Sequence, residues 1–134
     1  MAVKRIDHVA IAVKNLEATA KTFEQLFGVK PAHTETWPDQ GVKACLIKIG
    51  DTEIELIEPI DPEGGVAKFI ERKGEGLHHI SLEVDNVDAD LKSLAARQIP
   101  LVDKQGRRGL AGRVGFLHPK ATDGVVLIEL AQKV

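Results

Sequence analysis

The sequence predicts an α+β fold, with two tandem βαβββ modules forming a curled mixed sheet around a cleft. Three observations predict it. The chain repeats itself in outline, because His8-Val9-Ala10-Ile11-Ala12-Val13-Lys14-Asn15 matches His79-Ile80-Ser81-Leu82-Glu83-Val84-Asp85-Asn86. Each His starts an aliphatic alternating run, and each Asn lies seven residues beyond its His. The register continues without a gap, Leu16-Glu17-Ala18-Thr19-Ala20-Lys21 against Val87-Asp88-Ala89-Asp90-Leu91-Lys92. Each half then closes on an acid inside an aliphatic run, Ile54-Glu55-Leu56-Ile57 and Ile128-Glu129-Leu130.

The elements follow in order. Residues 6–13 alternate and are rich in Val and Ile, the pattern of a strand. Asn15 is a good N-cap for a helix over 16–27, with Leu16, Ala20, Phe23 and Phe27 at helical spacing. Gly28 is a natural stop, and Pro31 lies just beyond. Strands are predicted over 42–49 and 53–58, joined by a Gly50-Asp51 turn. Residues 61–76 read as a linker with a short helical stretch over 66–71. A strand over 77–84 and a helix over 87–97, capped by Asn86 and stopped before Pro100, open the second module. Residues 106–112 read as a glycine-rich turn, and strands over 113–118 and 125–131 close the chain. The whole is a single domain over 1–134, with modules at 5–60 and 77–131. A helix on one side of such a sheet leaves the other face needing cover, which a second module supplies.

Composition narrows the function. With 134 residues, the chain is long enough to bury a real core. Hydrophobic residues at 43% and charged residues at 28% exclude a disordered composition. A net charge of −2 gives no field favouring nucleic acid or an anionic membrane. No apolar stretch approaches the ~20 residues of a spanning helix. The first residues lead straight into a strand pattern with no leader character, so a cytoplasmic location is expected. The single cysteine, Cys45, lies in an aliphatic run and reads as a small core residue.

The candidate chemistry sits on one strand face. Side chains alternate between faces. Val9, Ile11 and Val13 share a packing face, so His8, Ala10 and Ala12 share the other. Ile80, Leu82 and Val84 pack likewise, leaving His79, Ser81 and Glu83 opposite. Glu55 lies opposite Ile54 and Leu56, and Glu129 opposite Ile128 and Leu130. A carboxylate in an aliphatic strand is costly to bury unless it is paired or bound to a cation. One such histidine would read as core and one such acid as an edge charge. Four in repeated positions, His8, Glu55, His79 and Glu129, read as a site for a divalent ion such as Co, Mn, Zn, Ni or Fe.

Other polar residues have two readings. His78 points away from His79 and reads as a packing or capping residue. Asp39, in Trp37-Pro38-Asp39-Gln40-Gly41, reads from spacing alone as a turn acid, or as an acid held over a cleft mouth. His118-Pro119-Lys120 is either a turn or a contact for an anionic ligand. Arg107, Arg108 and Arg113 are either a solvated loop or a phosphate site. No Walker or dinucleotide-binding glycine motif is present.

The two-module pattern with one His and one Glu per module resembles the vicinal oxygen chelate superfamily, which has the glyoxalase-like fold. Within it the chain most resembles the methylmalonyl-CoA epimerase family. The stretches that carry this are Asp7–Val13, Pro38–Val42, Gly76-Leu77-His78-His79-Ile80, Phe116–Lys120 and Gly124–Leu130. The resemblance implies metal ligation by His8, His79 and Glu129. The position of Glu55 is often Gln in that family. It implies a two-base inversion of methylmalonyl-CoA with Asp39 and Glu129 as the bases, though Asp39 stands where the family usually has Glu. It also implies an acyl-CoA substrate, His118 and Lys120 near it, and a homodimer. The alternatives are a glyoxalase I-type lactoylglutathione lyase and a metal-free small-ligand-binding resistance protein on the same fold. A dioxygenase fits less well, because two acids leave fewer open positions for O2.

Overall fold

Hydrophobic alternation and two Asn caps set the local structure of each half in the computed structural model. It describes residues 1–110 and 112–133. Ala111, within the glycine-rich turn, and Val134, the end of the expected domain, lie outside the described residues. The chain falls into two compact units, one of His8–His78 and one of Met1–Asp7 with His79–Val134.

The first of these units carries most of β1 (Arg5–Ala12), then α1 (Leu16–Phe27), β2 (Glu35–Trp37), β3 (Val42–Ile49), β4 (Thr52–Pro59) and α2 (Gly65–Lys73). A 3-10 turn, Pro38–Gln40, separates β2 from β3. The Asn15 side chain accepts the Ala18 N–H at 3.0 Å, closing one of the free amides of the α1 start. The Leu16 N–H donates to Glu58 at 2.8 Å, which ties the helix start to β4. Gly28 ends α1 at φ +69, a left-handed conformation that favours glycine. Strand β4 runs parallel to β1, β3 antiparallel to β4, and β2 antiparallel to β3. Val13, Leu16, Ala20, Cys45, Ile47 and Leu56 form the buried core, with Ile11, Phe23 and Ile54 against it. The apolar face of β1 therefore packs under α1, and His8 takes the opposite face.

The second unit repeats the scheme. It carries most of β5 (Gly76–Glu83), then α3 (Val87–Ala96), β6 (Arg107–Gly109), β7 (Gly112–Phe116) and β8 (Leu127–Gln132). Asn86 caps α3 by accepting the Ala89 N–H at 3.0 Å. Strand β8 is parallel to β5, β7 antiparallel to β8, and β6 antiparallel to β7. Val84, Val87, Leu91, Leu94 and Leu130 make the core, with Leu82 and Ile128 beside it. Gly115 lets α3 approach β7, since a Cβ there would stand 2.7 Å from Leu91 Cδ1.

Three local differences from the sequence reading have physical causes. Strands β2 and β6 span three residues each, too short to show alternation, and β6 lies where a turn is expected. The final strand starts at Leu127 rather than at 125. Thr122 takes the preceding amides: its carbonyl accepts the Val125 N–H and its hydroxyl accepts the Val126 N–H. The helix over 87–97 ends one residue early, with Gln98 left-handed at φ 63. Among the described residues, no helix is long and apolar enough to cross a membrane.

Candidate metal centre

Strand register sets the same local geometry twice. In the parallel pair β1/β4, His8 stands opposite Glu53 and Ala10 opposite Glu55. In β5/β8, His79 stands opposite Leu127 and Ser81 opposite Glu129. Each histidine thus faces the position two residues before its acid. Both acids fall on the histidine side of their strands because the neighbouring aliphatic residues take the helix side.

The side chains meet accordingly. His8 Nε2 lies 3.5 Å from Glu55 Oε1, and His79 Nε2 lies 3.9 Å from Glu129 Oε1. Each unit thus holds one His–Glu pair. All four of these residues are buried. The His79 ring is held edge-on by Phe116, with centroids 5.0 Å apart.

The donors fit a divalent ion. Both separations exceed a good hydrogen bond. Atoms that share an ion through bonds of about 2 Å stand roughly 3–4 Å apart, which matches them. Imidazole with carboxylate suits a borderline metal. Glu129 is 5% exposed and Glu55 7%, so a cation nearby offsets the cost of burying their charge.

The remaining candidates divide. Asp39 is exposed on the 3-10 turn. That turn is pinned by Gly41, left-handed at φ +67, whose carbonyl accepts the Ile60 and Asp61 N–H groups. A Cβ on Gly41 would come within 2.9 Å of Asp61 Cβ. His78 packs edge-on against Phe69 at 4.9 Å, and burial pushes its pKa down to about 4. It is a neutral packing residue, as its orientation implied. The His118 side chain accepts the Lys120 N–H at 3.0 Å, so it caps a 3-10 turn over Pro119–Thr122. Arg113 is engaged by Asp88 through bonds of 2.6 and 3.1 Å. Arg107 reaches Asp103 at 3.2 Å and lies over the Phe116 ring, while Arg108 is exposed.

Two features escaped the sequence reading. The Asp7 carboxylate is fully buried and held by Arg5 at 3.2 Å and Lys133 at 2.8 Å. Its only sequence signal was an acid near the start of a strand pattern. Ser81 is 0% exposed beside Glu129. Its shared face with His79 was legible, but its burial was not.

The model of the glyoxalase/bleomycin resistance protein/dioxygenase superfamily matches residues 7–116. The chain belongs to this superfamily. Mitochondrial methylmalonyl-CoA epimerase of Homo sapiens is 36% identical over 130 residues, covering 96% of this chain and 73% of the human protein. Ethylmalonyl-CoA/methylmalonyl-CoA epimerase of Cereibacter sphaeroides is 36% identical over 136 residues, covering 96% and 97%. The solved structure of a single-residue variant of Streptomyces coelicolor methylmalonyl-CoA epimerase, in complex with 2-nitronate-propionyl-CoA, matches with a TM-score of 0.94 at 35% identity. It covers 99% of this chain and 96% of that one. The α+β superfamily fold expected from the repeat is therefore the fold of this chain.

Proposed function

We propose that this protein is a metal-dependent epimerase that interconverts (R)- and (S)-methylmalonyl-CoA. The observation that carries the reading is a buried His–Glu pair in each unit, His8 with Glu55 and His79 with Glu129, in a chain similar to such epimerases over nearly its whole length. His8, His79 and Glu129 would hold the ion, with Glu55 as a fourth donor, and the ion would be Co, Mn, Zn or Ni. Bound there, such an ion would supply Lewis acidity to stabilise the negative charge that develops on the substrate.

The chain's own residues move the proton. The reacting carbon lies between a thioester and a carboxylate, and losing its proton leaves a planar enolate. Inversion requires an acid/base on each face. Asp39 serves one face and Glu129 the other. The pinned turn around Gly41 fixes where the shorter Asp39 side chain starts, so the loop rather than the side chain sets its reach. Lys120 and Arg108, both exposed, are the cations offered to the CoA phosphates. Arg113 is committed to Asp88. The enzyme acts as a homodimer in the cytoplasm.

The test follows exchange of the substrate α-proton for deuterium by NMR, with the metal content of the purified protein measured in parallel. Metal-dependent exchange with methylmalonyl-CoA is the expected result. Turnover of the glutathione hemithioacetal of methylglyoxal instead would establish a glyoxalase I-type lyase. A protein without stoichiometric metal that only binds ligand would establish the resistance-protein alternative.

A further inference from the structure

Ser81 lies on β5 between His79 and Glu83 on the non-helical face, level with Glu129 on the parallel strand β8. It is 0% exposed, and its hydroxyl oxygen has no hydrogen-bond partner. A hydroxyl lost to water without a partner destabilises the fold, and alanine would fill nearly the same space. Ile80 and Leu82, its neighbours along β5, face the other way, so no packing demand of the α3 core calls for a polar group here.

Resting on the epimerase reading, we propose that Ser81 anchors the acyl group of the substrate. Its Oγ–H donates to a carboxylate oxygen of a malonyl-type acyl chain held beside the His79–Glu129 pair. A neutral donor suits that place, because an anionic ligand arriving next to Glu129 needs a hydrogen bond that adds no further negative charge. The hydroxyl makes this contact without titrating and without ligating the ion. Ser81 is thus a residue that selects acyl-CoA ligands carrying an extra acidic oxygen at the α-carbon.

The experiment compares two CoA thioesters by isothermal titration against the metal-loaded protein. One is 2-nitronate-propionyl-CoA, which carries an anionic nitronate group on the α-carbon; the other is propionyl-CoA, which carries none. Ser81→Ala is expected to weaken the nitronate by about ten- to a hundred-fold, the range of a hydrogen bond to a charged group. Propionyl-CoA affinity and Co affinity should stay within about two-fold of the parent. Ligand-free Ser81→Ala should melt no lower than the parent. Ser81→Cys, with a weaker donor of similar size, should fall between the two in nitronate affinity. Equal nitronate affinity in parent and Ser81→Ala overturns the assignment. So does an equal weakening of both thioesters, or a lowered melting temperature in both variants, since each marks a packing role. A parent that binds neither thioester overturns the epimerase reading itself, and the assignment with it.

Discussion

Deleting one carboxylate of the centre has an effect that can be worked through. Glu129 is 5% exposed, with Oε1 3.9 Å from His79 Nε2, and on the proposed reading it would supply one donor to a bound ion. An ion that binds only the folded chain stabilises it by about 2.7 kcal/mol at a hundred times its dissociation constant. Unfolding entropy of about 2 cal/mol/K per residue makes 1 kcal/mol worth roughly 3–4 °C in a chain of 134 residues. The parent should therefore melt about 10 °C higher with metal than without. Glu129→Ala removes the donor. A hundred-fold loss of affinity leaves about 0.4 kcal/mol at the same metal concentration, a rise of roughly 1–2 °C. The assay is scanning calorimetry of each protein with chelator and with Co, so any effect of the variant on the metal-free fold cancels in the difference. Glu55→Gln should keep most of the rise, because an amide oxygen still faces the ion. An alanine variant at 129 that retained the full 10 °C rise would remove Glu129 from the ligand set, and with it the proposed centre.

Three further outcomes are expected. Asp39→Asn should slow α-proton exchange by at least about a hundred-fold, the usual range for a lost acid/base, with little change in ligand affinity read from the fluorescence of Trp37, the one tryptophan in the chain. Unchanged exchange in this variant would eliminate Asp39. Burial pushes the Cys45 thiol from 9.0 up to about 11. The stability tied to that proton is whole below pH 9 and is lost as pH rises toward 11, about 3 kcal/mol in all, so urea titrations of Cys45→Ala should be flatter than the parent across that window. Gly115→Ala and Leu91→Ala should each destabilise, the first by about 1–3 kcal/mol through overpacking and the second by about 3–5 kcal/mol through a cavity. The double variant should cost less than their sum, because the new methyl stands where Leu91 Cδ1 was, and additive costs in denaturant would show that α3 does not press on β7 there.

Asn15 and Asn86, the helices they cap, and the faces carrying His8, Glu55, His79 and Glu129 all follow from periods of two and 3.6 residues in nearby sequence, and the chain alone determined them. Spacing could not determine which strands pair. The parallel matches of β1 with β4 and of β5 with β8 place each histidine opposite the residue two before its acid, and that depends on hydrogen bonds between segments far apart in the chain. Strands β2 and β6 exist only because β3 and β7 supply a ladder for three residues each. Arg113, free to be a phosphate ligand in the sequence, is spoken for once Asp88 comes within 2.6 Å. Ser81 reads as one more small polar strand residue until folding removes its water. Local periodicity determines which way a side chain points, whereas its partners and its solvent are set by the long-range packing that only the tertiary structure decides.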